Sequence, residues 1–528
     1  MDIFGVYNLT TGECQIEGVR AKHLRQECWD VWALCATDGP VCEGILQRFT
    51  ENKQVCLEEM FLAVVYDRDR SIVTIVADET TSPWNFYYVQ NEDKVFFSTS
   101  LKDVLLRSKI QRVLDIHSAK AFLANGYIVG ETTLIENVKK LSFGHEIVLK
   151  KGEVVQVEYA QPTREKISPK AAKTLLLPTI QKSIEKSMEQ TGDVFVPVSN
   201  GYDSNLILHT VLGCTDRKVQ AYTVGSKNGS NETAAVKENV KNLNVDLYIE
   251  QIDETYFEHF ADIVWRLDGS VYESGVFLQY ALAKAVGAAG AKYLLCGEGS
   301  DEVQNQRYAQ SRDRVCCGKN LRDKKYFTYS DPFVGTNMMI MKKSAIMLNS
   351  FGVVGRYPFK SASVVSVAAA NARANGTEKK LYKRQCQKLF PPSVAANVQT
   401  RGGTTGVKTV LDAGMLQKLK ETMHDHELIS KIRNAENTIV TDAYTKKLRR
   451  EQGLKRIVAE ISGNGLAKGT RNILRNRKDS YLGKLFKEAY LVLFDKLFIS
   501  GEYDHAFGMQ SVPVVTSDLI FVKDNEIG

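Results

Sequence analysis

The 528-residue chain has no apolar run long enough to cross a bilayer. Its first residues, MDIFGVYNLT, lack the basic-then-apolar order of a secretion signal. No membrane partner is expected, and a cytoplasmic location follows as the default. Paired cysteines are missing too. Cys14, Cys28, Cys35, Cys42, Cys56, Cys214, Cys296, Cys316, Cys317 and Cys386 form no C-x-x-C unit. That scatter reads as free thiols in a reducing compartment. His and Cys never gather at ligand spacing, which argues against zinc. There are no internal repeats and no long low-complexity stretch, which leaves ordinary packed domains. The length calls for two or three of them.

What is present is an ordinary globular composition, 44% hydrophobic and 25% charged. The net charge of +7 is modest but uneven. Residues 446–478 are dense in Lys and Arg, and a second basic stretch runs from Arg307 to Lys325. Such stretches suit an acidic partner: nucleotide phosphates, an acidic peptide or nucleic acid. A solvated helix face would look the same.

Up to about Leu106 the chain reads as short strands. FLAVVYD (61–67), SIVTIVAD (71–78), WNFYYVQ (84–90) and KVFFSTS (94–100) are β-branched and aromatic between turn residues, which fits antiparallel layers. Residues 145–158 read as a hairpin turning at Lys151-Gly152. The pattern changes between Pro162 and Pro169. A helix is expected over 171–190, then alternation: strand 194–199, helix 204–212, strand 219–224, helix 232–242, strand 246–252, helix 277–286 and strand 291–296. This predicts a parallel sheet with helices on both faces. Ligands bind such sheets beyond the carboxyl ends of the strands. The loops after Ser199, Val224 and Cys296 are therefore the candidate site.

The first loop is Ser199-Asn200-Gly201-Tyr202-Asp203-Ser204. Small residues between a strand and a helix let backbone N–H groups approach an anion, and the helix start favours negative charge. Ser199 and Ser204 add hydroxyls, and Asp203 could hold Mg²⁺. Alone, such a cluster is more often just a turn and cap. The loop after Cys296 is Gly297-Glu298-Gly299-Ser300-Asp301-Glu302. Carboxylates packed this closely repel unless a cation lies between them. A solvated acidic turn is the bland alternative. Together Asp203 and Asp301 would make a two-carboxylate Mg²⁺ site facing a triphosphate.

These loops carry a resemblance. The first resembles the S-G-G-x-D-S pyrophosphate loop of ATP-pyrophosphatase enzymes. L-C-G-E-G-S-D-E resembles the L-S-G-E-G-A-D-E segment of asparagine synthetases. Tyr222-Thr223-Val224-Gly225 is similar to the family strand whose backbone contacts adenine, and Asn231-Glu232 with Ala234-Ala235 to its D-E-x-x-x-A helix start. Lys379 precedes Pro391-Pro392-Ser393-Val394 as in K-x-x-L-R…L-P-x-x-V. The resemblance runs from Phe61 to Val394 at least.

It implies a carboxy-terminal ATP-pyrophosphatase domain of the adenine-nucleotide α-hydrolase type (about 170–500) and an amino-terminal antiparallel Ntn-hydrolase-like domain (1–165). Residues 501–528 would form a tail. It also implies an AMP-forming amide-bond ligase using ATP and Mg²⁺, with a small-molecule or peptide carboxylate and an ammonia or amine donor as substrates. Ser199, Asn200, Gly201, Asp203 and Ser204 would hold pyrophosphate, with Val224, Gly225 and Gly297 completing the ATP site. Asp203 and Asp301 would hold the metal. Lys379, or Lys380 if the register slips by one, would stabilise the transition state. Glu298 would orient or deprotonate the attacking nitrogen. The related β-lactam synthetases carry Tyr at that position, so a glutamate implies an external nitrogen nucleophile.

Departures limit the likeness. Glutamine-using members begin with Cys after the initiator Met, whereas this chain has Asp2, and the segments that bind glutamine have no counterpart. LEEMFLAVVYD (57–67) and FSTSLKDVLL (97–106) still resemble the glutaminase fold, so a degenerate glutaminase-like domain is expected. In the family's E-x-R-x-P-F-L-D segment, read here from Val354 to Ser361, Arg356, Pro358 and Phe359 match but both acids are missing. Aspartate is therefore a poor candidate acceptor. Two other functions stay open: a lasso-peptide or β-lactam-type cyclase whose basic 446–478 stretch contacts peptide, and a non-catalytic relative that binds nucleotide or nucleic acid.

Overall fold

The computed structural model describes residues 2–19, 21–35, 40–51, 60–78, 84–128, 130–142, 145–158, 167–188, 192–227, 232–304, 315–317, 325–326, 340–375, 379–398, 410–435, 440–441 and 481–521. The basic 446–478 stretch, Asn231 and nearly all of 307–325 lie outside them.

The amino-terminal part is two antiparallel sheets. One has the order β2 (Cys14–Val19), β1 (Asp2–Asn8), β8 (Lys94–Ser98), β7 (Tyr87–Asn91), β9 (Lys139–Lys140). The other runs β11 (Glu153–Glu158), β10 (His145–Lys150), β6 (Ile72–Ala77), β5 (Phe61–Asp67), β4 (Trp29–Cys35), β3 (Lys22–Gln26). Between them Ile3, Tyr7, Leu62, Val64, Val73, Ile75, Val95, Phe97, Ile147 and Leu149 form one core. The other face of β5 packs Ala63 and Val65 against helix α1 (Val41–Thr50) through Ile45 and Leu46. Burial on both faces explains why FLAVVYD is continuously apolar instead of alternating. The β10–β11 hairpin pairs Lys150 with Glu153, and Gly152 takes φ +74° in its turn.

The second part is a parallel sheet. β12 (Val194–Pro197), β13 (Val219–Ser226) and β14 (Asp246–Ile252) pair in that order. β15 (Tyr293–Leu295) lies beside β12 and pairs in parallel with Val354–Arg356. Alternate residues enter two cores. Val194, Val196 and Ala221 face helices α4 (Pro169–Lys186), α5 (Tyr202–Cys214) and Ala362–Asn375. Phe195 and Tyr222 face α7 (Phe260–Arg266) and α8 (Val276–Ala288). That second core also takes in α2 (Leu101–Ser108) and α3 (Ile116–Asn125) of the amino-terminal part, with Phe486, Tyr490, Phe494 and Phe498. The two parts are further tied by Leu101 N–H donating to Asp268 at 3.0 Å and by Lys102 pairing with the same carboxylate. Residues 501–521, expected as a tail, are folded in. Phe507, Leu519 and Ile520 are buried, and the Thr516 hydroxyl accepts from Ala261 N–H at 3.0 Å.

At the start of α8 the Glu273 carboxylate accepts from Lys343 at 2.6 Å, from Ser274 at 2.7 Å and from Gly275 N–H at 2.8 Å. Burial alone would raise its pKa. Lys343 and these hydrogen bonds outweigh it and bring it from the ordinary 4.5 to about 2. A carboxyl depressed in the fold adds stability above its unfolded pKa and loses it as pH falls through the folded one. Glu273→Gln should therefore cost on the order of 2–3 kcal/mol at neutral pH. It should also flatten the decline of stability between about pH 5 and 2. Urea unfolding at stepped pH checks both.

Candidate functional site

The loops after β12 and β15 meet because those strands are neighbours, so their carboxyl ends open at one edge of the sheet. Gly201 starts α5 with no side-chain cap, which leaves the first-turn N–H groups of a 13-residue helix without a side-chain acceptor. Gly297 faces that turn. A Cβ there would stand 3.6 Å from the Asp203 Cβ and 3.7 Å from Ser204 N, so glycine keeps the approach to the helix start open. Gly299, at φ +93°, turns the chain from β15 into the short α9 (Ser300–Gln304).

The loop is closed on itself. The Ser199 and Ser204 hydroxyls are 3.0 Å apart, Ser199 N–H donates to Ser204 Oγ at 3.0 Å, and Gly201 N–H donates to Ser199 Oγ at 3.1 Å. These are the donors an incoming phosphate would recruit. Asn200 is a correction to the expected binding set. Its amide nitrogen donates to the Asn397 carbonyl at 3.1 Å, its oxygen accepts from Asn239 at 3.0 Å, and its N–H donates to Glu232 at 3.3 Å. Asn397 in turn donates to Asn239 at 2.7 Å. At 5% exposure, Asn200 anchors the loop, with its side-chain oxygen and one amide N–H already bonded within the protein.

Asp203, Asp301 and Lys379 come together. Lys379 Nζ lies 3.0 Å from Asp203 Oδ2 and 2.7 Å from Asp301 Oδ1. Lys380 is solvent-exposed, so of the two lysines it is Lys379 that reaches the carboxylates. Lys379 takes φ +55°, a left-handed conformation unusual for a side-chain-bearing residue, immediately before the helix Lys380–Leu389. Such strain is stored where the fold has a reason to aim a group. Burial alone would lower its pKa, but Asp203 and Asp301 outweigh it and hold the ammonium above the ordinary lysine value. Its charge, and the stability the pairing adds, are therefore complete at neutral pH and lost only as pH rises beyond the ordinary lysine range.

Two further groups converge on Asp203. Ser300 Oγ donates to Oδ1 at 2.7 Å, and the fully buried Tyr382 donates to the same oxygen at 2.8 Å. Tyr382 had no sequence role; it lies in the first turn of the Lys380–Leu389 helix that Lys379 opens, which brings both side chains to Asp203. Val224 and Gly225 sit at the carboxyl end of β13. A Cβ on Gly225 would be 2.5 Å from Thr233 Cγ2, so that position has no space for a side chain. Glu298 is half-buried and is not among the groups joined to Asp203 or Lys379. Its charge acts instead on Cys296 and Tyr357, whose pKa values are raised first by burial and then by neighbours that include Glu298. Arg356 points away, donating to the Ser187 carbonyl at 2.6 Å and lying over the Tyr293 ring.

Among the described residues no three His, Cys, Asp or Glu side chains gather as a metal site. The donor set is two carboxylates already sharing one cation, the Lys379 ammonium. Hard oxygen donors of that number fit Mg²⁺, which keeps waters and takes substrate phosphates for the rest of its shell.

Comparison with known proteins follows this division. Residues 22–160 match the glutamine amidotransferase domain and residues 175–323 match Asparagine synthase. Amidase chry2 of Gibberella zeae is 24% identical over 270 residues, 46% of this chain and 39% of that protein. The chain thus spans about two fifths of that relative. Solved structures of an allosteric regulatory enzyme of purine biosynthesis (TM-score 0.19, 5% identity, covering 48% of this chain and 80% of that one) and of B. subtilis glutamine phosphoribosylpyrophosphate amidotransferase (0.17, 7%, 58% and 77%) superpose too loosely to inform the site. The asparagine synthase match supports an ATP-dependent amide ligase. An amidotransferase match followed by an asparagine synthase match supports an asparagine synthetase-like family for the chain.

Proposed function

We propose that the protein activates a carboxylic acid with ATP as an acyl-adenylate and passes the acyl group to ammonia or an amine. The observation that carries this is the convergence of Asp203 and Asp301 on one cation, beside the uncapped start of α5. In the first step a substrate carboxylate oxygen attacks the α-phosphorus of ATP, and the bond to the β-phosphate oxygen breaks. The α5 N-terminus and the Ser199–Ser204 loop take the pyrophosphate. Lys379 offers its charge to the oxygens that become more negative. In the second step nitrogen attacks the acyl carbon, AMP departs with the acid's oxygen, and Glu298 takes the proton. Asp203 and Asp301 would hold a magnesium ion, which would neutralise the phosphate charge.

The nitrogen is taken free, not cut from glutamine by the amino-terminal domain. The thiols of Cys14 and Cys42 there are pushed by burial to about 12 and about 11, which keeps them protonated and unreactive.

The test is pyrophosphate release from ATP and Mg²⁺ across a panel of small acids and carboxylate-bearing peptides, each with ammonium, glutamine or neither. Release that depends on one class of acid, with amide formed from ammonium and none from glutamine, is expected. Release with no acid, or amide from glutamine alone, contradicts the reading.

A further inference from the structure

Two hydroxyl groups, those of Ser300 and the buried Tyr382, hold the Asp203 carboxylate. Both hydroxyls bond one oxygen, Oδ1, at 2.7 and 2.8 Å, and Lys379 adds a third donor to it at 3.2 Å. The Ser300 oxygen itself accepts from Gln304 at 3.0 Å and from Lys379 at 3.2 Å, so its proton is committed to Asp203. Tyr382 is fully buried, its ring set edge-on against Phe359, and its hydroxyl has this carboxylate as its acceptor. A carboxylate oxygen has about two good acceptor positions. Oδ1 is therefore saturated, while Oδ2 accepts, among the described residues, from Lys379 alone at 3.0 Å.

We infer that Ser300 and Tyr382 are positioning residues that set the ion preference of the site, by leaving Asp203 a single oxygen with which to bind a cation. Mg²⁺ demands near-ideal octahedral geometry and takes carboxylates through one oxygen, whereas Ca²⁺ accepts more ligands and readily takes a carboxylate through both. Pinning Oδ1 excludes the two-oxygen mode and disfavours the larger ion. The inference rests on the ligase reading, in that it takes Asp203 as a metal ligand.

The test uses the full chain with the non-cleavable nucleotide α,β-methylene-ATP. Bound Mn²⁺ is measured from the loss of the free-ion electron paramagnetic resonance signal, then displaced with MgCl₂ or CaCl₂. Wild type is expected to release Mn²⁺ at lower Mg²⁺ than Ca²⁺. Tyr382→Phe with Ser300→Ala should weaken Mg²⁺ about 10-fold, in the range seen when groups that orient a ligand are removed, while Ca²⁺ holds or tightens. Ser300→Ala alone, which removes one small buried hydroxyl and no ring, should narrow the preference part of the way and serves if the double variant does not fold. Equal weakening of both ions, or an unchanged preference, overturns the inference and leaves the ligase reading standing. Wild type that binds the nucleotide analogue but no Mn²⁺ removes both.

Discussion

Lys379→Ala should abolish product formation while ATP still binds. The ammonium is 8% exposed, is shared by Asp203 and Asp301, and follows a left-handed backbone turn that aims it inward. Removing a preorganised charge directed at developing negative charge costs on the order of 10²–10³ in kcat. The uncapped α5 start and the serine loop remain, so the nucleotide Kd should move far less than the rate. Lys380→Ala is the control. That residue is exposed, and its substitution should leave the rate within about twofold, as surface changes generally do. Quenched-flow measurement of AMP formation beside equilibrium ATP binding separates the two effects. Equal losses in both variants would move the role away from Lys379.

Asp301→Asn should remove ATP turnover with the fold untouched. The Asp301 side chain is 68% exposed, so deleting its charge is expected to change stability by less than about 0.5 kcal/mol. Its effect on the site is different in kind, because it is one of two carboxylates meeting at a single cation. Asp203→Asn makes the contrast. That side chain is only 25% exposed and accepts from the buried Ser300 and Tyr382 hydroxyls as well as Lys379, so its neutralisation weakens three buried donors at once. Buried donors that lose a charged acceptor are costly, and a lower Tm is expected in addition to lost turnover. Circular dichroism melting with pyrophosphate release distinguishes them. Asp301→Asn with normal turnover would show that the metal does not depend on it.

The parts of the fold that show in the sequence are those where burial sets the pattern. FLAVVYD is β5 residue for residue, and the turn at Lys151-Gly152 falls where the β10–β11 hairpin closes. The strands 194–197, 219–226, 246–252 and 293–295 all fall within or beside the expected runs; burial makes 194–197 and 293–295 continuously apolar, whereas 246–252 at the sheet edge is largely solvent-facing and shows instead by its alternation. The first four strands and helices α1 to α3 were not individually legible. β2 and β3 are largely solvent-facing, so little hydrophobic signal marks them.

The site divides in the same manner. Asp203 and Asp301 follow from loops that both the chain's alternation and its resemblance single out, and Lys379 from the resemblance alone. Asn200 reads as a ligand donor from its type, and only the packing of Asn239 and Asn397 around it shows that its side chain anchors the loop. Tyr382 was invisible because a tyrosine in an amphipathic helix looks like core. Its function as a hydrogen-bond donor depends on α5 lying against the Lys380–Leu389 helix, a tertiary fact.

The acid that supports pyrophosphate release, labelled with ¹⁸O in its carboxyl group and turned over with ATP, Mg²⁺ and ammonium, tests the chemistry most directly. If the carboxylate attacks the α-phosphorus, one labelled oxygen must leave with AMP, which mass spectrometry reads as a gain of two mass units. Label found in inorganic phosphate, or AMP with none, would contradict adenylation at the Asp203–Asp301 site.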